Sequence, residues 1–254
     1  MIRLSVNVNK VATLRNSRGG DEPRVLDAVA VCLRAGVHGI TVHPRADERH
    51  IKPHDVDDIV AALEGKRPAV EFNIEGDPRP DFIDIVRRIR PDQCTLVPVI
   101  PGEITSQAGW TAERATALPA IVDDLKSRHV RISVFIDPTP ESVHLAASLG
   151  ADRVELYTEP YARAFERGAS AAQASFATYA AAAELAHQLG LGINAGHDLN
   201  LDNLRLFREL PHLDEVSIGH AIMSRALFVG LDTVVREYLA VLSGGHPGLT
   251  ADPL

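Results

Sequence analysis

Three observations predict an α/β fold, a single eightfold (β/α) TIM barrel with an extended first βα loop. An alanine- and leucine-rich helical pattern, a glycine and a short β-branched run follow one another repeatedly along the chain. Eight such apolar runs occur, with starts roughly 30 residues apart. The length, 254 residues, suits one barrel of this kind.

The elements follow in order. Strand one is read at 3–8, where Leu4, Val6 and Val8 alternate with Ser5, Asn7 and Asn9. The glycine-rich turn of a dinucleotide-binding sheet is missing after it; Asn7-Val8-Asn9-Lys10 stands there instead, which disfavours a doubly wound fold. A helix over 24–35 runs into Cys-Leu-Arg-Ala-Gly-Val-His-Gly-Ile-Thr-Val-His at 32–43, with strand two at 39–43. Helix 54–64 leads to strand three at 69–74, and helix 80–90, started by Asp81, to strand four at 94–98. Helix 112–128 precedes strand five at 130–136. Thr139-Pro140 then opens helix 140–149, with proline in the first turn. The repeat returns as Ala-Ala-Ser-Leu-Gly-Ala-Asp-Arg-Val-Glu-Leu-Tyr at 146–157, giving strand six at 153–157. It returns again as Ala-His-Gln-Leu-Gly-Leu-Gly-Ile-Asn-Ala at 186–195, after helix 170–189 and into strand seven at 191–195. Helix 200–209, strand eight at 214–218 and helix 221–242 complete the barrel, 1–242; residues 243–254 read as a mobile tail.

Composition excludes several classes. The net charge of −8 argues against a nucleic-acid partner. Apolar runs fall far short of the ~18 residues that cross a bilayer, and the start has no apolar secretion core, so a cytoplasmic protein without membrane partners is expected. Cys32 and Cys94 sit in apolar runs and read as buried small hydrophobes rather than a disulfide.

Barrel active sites lie at the carboxyl ends of the strands. Those positions carry Asn7, Asn9 and Lys10; His43 and Arg45; Glu71 and Asn73; Thr105; Asp137; Glu155 and Thr158; Asn194 and His197; Gly219 and His220. Of eleven histidines, His43, His50, His197 and His220 follow strands two, seven and eight, where imidazole relays protons near neutral pH. Glu71, between Val70 and Phe72, is expected to point into the barrel, as a buried base or as part of a core network with Asn73 or an arginine. Ser217-Ile218-Gly219-His220-Ala221 ends strand eight and opens a helix, a corner suited to phosphate. Arg15-Asn16-Ser17-Arg18-Gly19-Gly20 in the first loop is a candidate clamp for a second phosphate. A metal set of His43, Glu71, Asp137 and His197 lacks any close-spaced ligand pair. Only four of the 26 basic residues are lysines, and Lys10 alone lies near a strand end, so Schiff-base chemistry would have to use it.

These segments resemble the pyridoxine 5′-phosphate synthase family of vitamin B6 biosynthesis. The resemblance rests on Val-Asn-Val-Asn-Lys-Val-Ala-Thr-Leu-Arg-Asn-Ser-Arg-Gly (6–19), Gly-Ile-Thr-Val-His-Pro-Arg-Ala-Asp-Glu-Arg-His-Ile (39–51), Glu-Phe-Asn (71–73), Thr-Leu-Val-Pro (95–98), Asn-Ala-Gly-His (194–197) and Ser-Ile-Gly-His-Ala-Ile (217–222). It implies condensation of 1-deoxy-D-xylulose 5-phosphate with 3-amino-2-oxopropyl phosphate to pyridoxine 5′-phosphate, phosphate and water, by acid–base catalysis without metal or organic cofactor, in a homo-oligomer. By matching position, His43 and Glu71 are implied proton acceptors and His197 a proton donor. Asn7, Arg18, Gly219 and His220 match the amino-ketone phosphate pocket, and Arg45, His50 and Thr105 match contacts to the deoxyxylulose phosphate.

The chain departs from the commoner family pattern at Asn9-Lys10, where Asp-His is usual, at Tyr157 and Glu159, and at Asp198, where glycine is usual. Lys10 is expected to supply charge to the deoxyxylulose phosphate, and Asp198 to meet ligand through its backbone. A metal-dependent sugar-phosphate isomerase or aldolase and a non-catalytic sugar-phosphate-binding barrel are the alternative readings.

Overall fold

The computed structural model describes residues 1–99 and 106–245. Eight parallel strands close in sequence order into one barrel: β1 (Arg3–Asn7), β2 (Gly39–Val42), β3 (Glu71–Gly76), β4 (Gln93–Leu96), β5 (Arg131–Ile136), β6 (Arg153–Tyr157), β7 (Gly192–Gly196) and β8 (Leu213–Ile218), with β8 pairing back on β1. Around it lie α1 (Asn9–Asn16), α2 (Val25–Ala35), α3 (Pro53–Ala62), α4 (Pro80–Ile89), α5 (Leu118–Ser127), α6 (Pro140–Ser148), α7 (Glu159–Glu166), α8 (Ala169–Gln188), α9 (Leu204–Phe207), α10 (His220–Val229) and α11 (Leu231–Leu242).

The alternation of each strand separates two interiors. Outward residues such as Leu4, Val6, Ile40, Val42, Phe72, Ile74, Ile132 and Val134 are fully buried against the helices. Each contributes about 1.5–3 kcal/mol of apolar burial, and this shell is the main hydrophobic core. Cys32 and Cys94 are buried within it as free thiols.

Apart from Phe135 and Tyr157, which with Val97 form a small apolar cluster of their own, the inward residues are mostly polar and stack in three tiers. In the middle tier the Ser5 and Thr41 hydroxyls lie 2.7 Å apart, Asn73 donates to Thr41 at 3.4 Å, and Thr95 donates to Asn73 at 3.1 Å. Mutual hydrogen bonding makes polar groups tolerable inside a barrel. The lower tier, at the amino ends, holds Arg3, Glu71, Gln93, Arg131, Arg153 and Glu215. The upper tier, at the carboxyl ends, forms the floor of a cavity.

The extended first βα connection is present between β1 and α2, and it contains a helix, α1, because Asn7 accepts from the Asn9 amide at 3.0 Å and starts a turn straight after β1. Two expectations are corrected. Arg15 lies on this helix and is no phosphate clamp: it is buried, and two of its nitrogens donate to the Asp55 carboxylate at 2.5 and 2.9 Å. The helix expected over 221–242 is broken at Gly230, where φ is +86°. Helix α7 was not foreseen. Within the tail, residues 246–254 lie outside the described residues.

Candidate active site

A cavity of about 450 Å³ opens at the carboxyl end of the barrel. It is lined by Asn7, Lys10, His43, Arg45, His50, Glu155, His197, Asp198, Gly219 and His220, residues the sequence placed at strand ends, and also by Glu75, Arg49, Val97 and Phe135.

The end of β1 organises one wall. Asn7 donates from Nδ2 to Glu75 Oε1 at 2.9 Å, and Asn9 accepts the His43 amide at 2.9 Å, clipping β1 to the segment after β2. The His43 ring is buried, with Nδ1 3.8 Å from Glu75 Oε1. Burial, then the neighbouring His50, Arg45 and Arg79, holds its proton affinity well below the ordinary histidine value, so the ring is neutral at pH 7. Its Nε2 is buried and has no hydrogen-bond partner among the described residues, an unsatisfied polar atom in the wall of the cavity.

Glu75 is the centre of the arrangement. Burial pushes its carboxyl up to about 7, while the charge of His197 and the Asn7 hydrogen bond pull the other way. Beneath it, Glu155 is buried and pushed well above the usual carboxyl range, by burial first and then by Glu75 and Glu215. Two carboxyls so placed disfavour joint ionisation; one keeps its proton while the other accepts one. On the far side, His197 ends β7 with φ +87°, its ring edge-on to Tyr157 at 5.2 Å and tilted on Phe135 at 6.0 Å.

Lys10, Arg45 and Arg49 gather at one flank with His50. The His50 Nδ1 accepts the Ile51 amide at 3.0 Å, which puts its proton on Nε2. Burial, Arg45 and Lys10 lower its proton affinity to about 4. At the opposite flank Gly219 leads β8 into α10, with its Cα against Asn7: an added Cβ would stand 3.0 Å from the Asn7 Cβ. The first turn of α10 therefore presents amides to the cavity, a site suited to an anion.

The structure corrects the placement of Glu71. Strand β3 begins at Glu71 and continues to Gly76, two residues later than expected. Glu71 therefore stands at the amino end, roughly 13 Å along the strand from Glu75 at ~3.3 Å per residue. There Arg131 donates to its carboxylate and Arg3 Nη2 lies 3.5 Å from Oε1. It forms the core network with arginine that was the other reading, and Glu75 occupies the position expected of it. The signal for Glu75 was Gly76-Asp77-Pro78, which ends the strand and marks its predecessor as a strand-end residue.

Other expected residues fall elsewhere. Arg18 is exposed in the turn after α1 and does not line the cavity. Thr105 lies outside the described residues. Asp137 accepts the Gly109 amide at 3.1 Å, and Thr158 donates to the Gly196 carbonyl at 2.7 Å. Asn73 and Asn194 sit in the barrel interior, below the cavity. With Glu71 at the other end, His43, Glu71, Asp137 and His197 do not converge on a metal. Among the described residues no group of three or more histidine, cysteine and carboxylate side chains is arranged to hold one.

A closed parallel barrel with histidines, carboxyls raised by burial and clustered cations at its carboxyl end defines a (β/α)8-barrel enzyme equipped for proton transfer. The family described as pyridoxal phosphate biosynthesis protein PdxJ matches residues 4–244, and the chain belongs to this family. The pyridoxine 5′-phosphate synthase of Porphyromonas gingivalis is 52% identical over 240 residues, covering 94% of this chain and 98% of that one. The pyridoxine 5′-phosphate synthase of Leptospira biflexa is 47% identical over 257 residues, covering 97% and 99%. Among solved structures, phosphoribosyl anthranilate isomerase from Thermotoga maritima superposes with a TM-score of 0.59 at 11% identity, over 96% of this chain and all of that one. That likeness concerns the fold alone.

Proposed function

We propose that this enzyme condenses 1-deoxy-D-xylulose 5-phosphate with 3-amino-2-oxopropyl phosphate to pyridoxine 5′-phosphate, releasing phosphate and water. The observation that carries the reading is Glu75, a half-buried carboxyl at the cavity, hydrogen-bonded by Asn7, 3.8 Å from His43 Nδ1 and pushed up to about 7. Imine formation, phosphate loss, dehydration and ring closure each move protons, and a base is most effective when its pKa lies near the working pH.

In this reading ionised Glu75 and neutral His43 take protons from carbon and nitrogen, and His197 delivers one to a leaving oxygen. Glu155, kept protonated by burial, donates a hydrogen bond to charge that develops beneath the substrate. Lys10, Arg45 and His50 receive the deoxyxylulose phosphate. Asn7, Gly219, His220 and the amides of α10 receive the amino-ketone phosphate; Arg18, exposed in the turn after α1, reaches that phosphate only when its loop closes, and Thr105 is assigned to the deoxyxylulose phosphate by the family resemblance alone. Fixing both phosphates turns a bimolecular condensation into an oriented one. Asp198 meets the amino-ketone phosphate through its backbone amide. The enzyme works in the cytoplasm as a homo-oligomer, on small phosphorylated substrates, without a metal or organic cofactor.

The test is incubation of chelator-treated protein with both phosphates and detection of pyridoxine 5′-phosphate by mass. Product is expected only when both substrates are present. Activity lost on chelation and restored by zinc or manganese overturns the acid–base reading.

A further inference from the structure

The side chain of Asp198 has a role in this site that the backbone contact does not describe. Its Oδ2 lies 3.4 Å from His197 Nδ1, a long hydrogen bond at ion-pair distance. The backbone that carries it is pinned: Asn203, itself buried, donates from Nδ2 to the Asp198 carbonyl at 3.0 Å and accepts the Asn200 amide at 2.8 Å. The Leu199 amide turns back onto the His197 carbonyl. The imidazole is confined by Tyr157 and Phe135, so its plane is set before the carboxylate reaches it.

We propose that Asp198 is a positioning residue for the acid–base reaction: its carboxylate accepts the Nδ1 proton of His197 and leaves Nε2–H as the donor presented to the substrate. The inference rests on the proposed role of His197 as proton donor. When Nε2 gives its proton to a departing oxygen, the ring becomes neutral and keeps its Nδ1 proton on Asp198, so the tautomer is ready for reprotonation at the same nitrogen. The His197 hydrogen bond holds the Asp198 carboxylate below the usual range, with His220 adding to it. Glu75 from β3 also interacts with this histidine, and the Glu155 carboxyl lies against Gly196, its neighbour in the chain. Glycine, usual at this position in the family, has no carboxylate to offer.

The deciding experiment is 15N imidazole NMR of His197 in the unaltered protein, its Asp198→Asn variant and its Asp198→Gly variant, which reads whether Nδ1 or Nε2 carries the proton of the neutral ring, with steady-state kinetics on the same samples. The unaltered protein is expected to keep that proton on Nδ1, and both variants to move part of the population to Nε2. In both, kcat is expected to fall about tenfold while KM for either substrate stays within about threefold, and Asp198→Glu recovers part of the loss. An unchanged tautomer balance, or a KM change for the amino-ketone with kcat intact, overturns the proposal. His197→Gln separates the premise: near-normal turnover there removes the donor role, whereas the tautomer balance reports on the Asp198 contact alone.

Discussion

Strand β3 carries two inward-facing glutamates, Glu71 and Glu75, four residues apart at opposite ends of one barrel. Glu71 meets Arg3 and Arg131 in the lower tier, where Arg131 also donates to Gln93 at 3.1 Å and Arg153 donates to Asn194 at 2.8 Å. Glu75 meets an amide, two imidazoles and a second carboxyl. The same side chain on the same strand face is a structural anion at one end and a titrating group at the other. What differs is where the cations point. Below, guanidinium groups turn onto carboxylates; above, Lys10 and Arg45 line an open cavity.

The largest effect that can break this comparison is on turnover. Glu75→Gln is expected to lower kcat by about 10²- to 10⁴-fold, and Glu71→Gln to leave it within about threefold. Steady-state rates of the two variants side by side decide it; equal losses would erase the distinction between the tiers.

Cations give a smaller contrast. Lys10→Met is expected to weaken the deoxyxylulose phosphate by about 1–3 kcal/mol, seen in KM, with saturated turnover kept within about tenfold. Borohydride with that substrate alone should trap no adduct. Covalent labelling of Lys10, or loss of turnover at saturation, would move it into nucleophilic catalysis.

Stability sharpens the comparison with the smallest signal and an opposite sign. The folded Glu75 carboxyl, at about 7 against 4.5 for the ordinary group, binds protons more tightly than the unfolded chain does. Its contribution is therefore fully present below about pH 4.5 and is lost as pH rises through 7. Replacing it with neutral glutamine is expected to raise stability at pH 8 by about 1–3 kcal/mol and to change little near pH 5. Glu71→Gln removes the carboxylate that takes the Arg131 hydrogen bond and leaves Glu215, pushed up to about 7 by burial and by Glu71, to face Arg3 and Arg131; it is expected to cost about 2 kcal/mol at pH 5 and no more than that at pH 8. Urea denaturation at pH 5 and 8 reads both, and parallel shifts for the two variants would contradict the assignment.

The fold was legible because its two periodicities are clean. Leu4-Val6-Val8 and Ile132-Val134-Ile136 announce strands with one apolar face, and Gly36, Gly150 and Gly190 all adopt the positive φ expected of helix ends. Helix α1 was hidden because its start depends on the Asn7 side chain rather than on an apolar stripe. Helix α7 was missed although Pro160 stands in its first turn, the same start signal that Thr139-Pro140 gives for α6. The site was legible where a histidine or glycine stands next to a strand end, as at His43, His197 and Gly219. It failed at β3 because alternation fixes the face of a strand and leaves its ends open. A slip of two residues returned the correct face at the wrong end, exchanging Glu75 for Glu71. Pairing partners such as Gly39 opposite Glu71 settle the register, and those are tertiary facts.

Gly196 has a consequence for anyone who would retool this barrel for another pair of carbonyl compounds. A methyl group added there would run into the carboxyl oxygen of Glu155 and crowd the Ser217 carbonyl at 3.3 Å. A mutational library that varies this position would spend its members on displaced acids rather than on new specificities. Diversity belongs on the cavity flank around Lys10, where a change in side-chain length alters reach while Glu75, Glu155 and His197 keep their places.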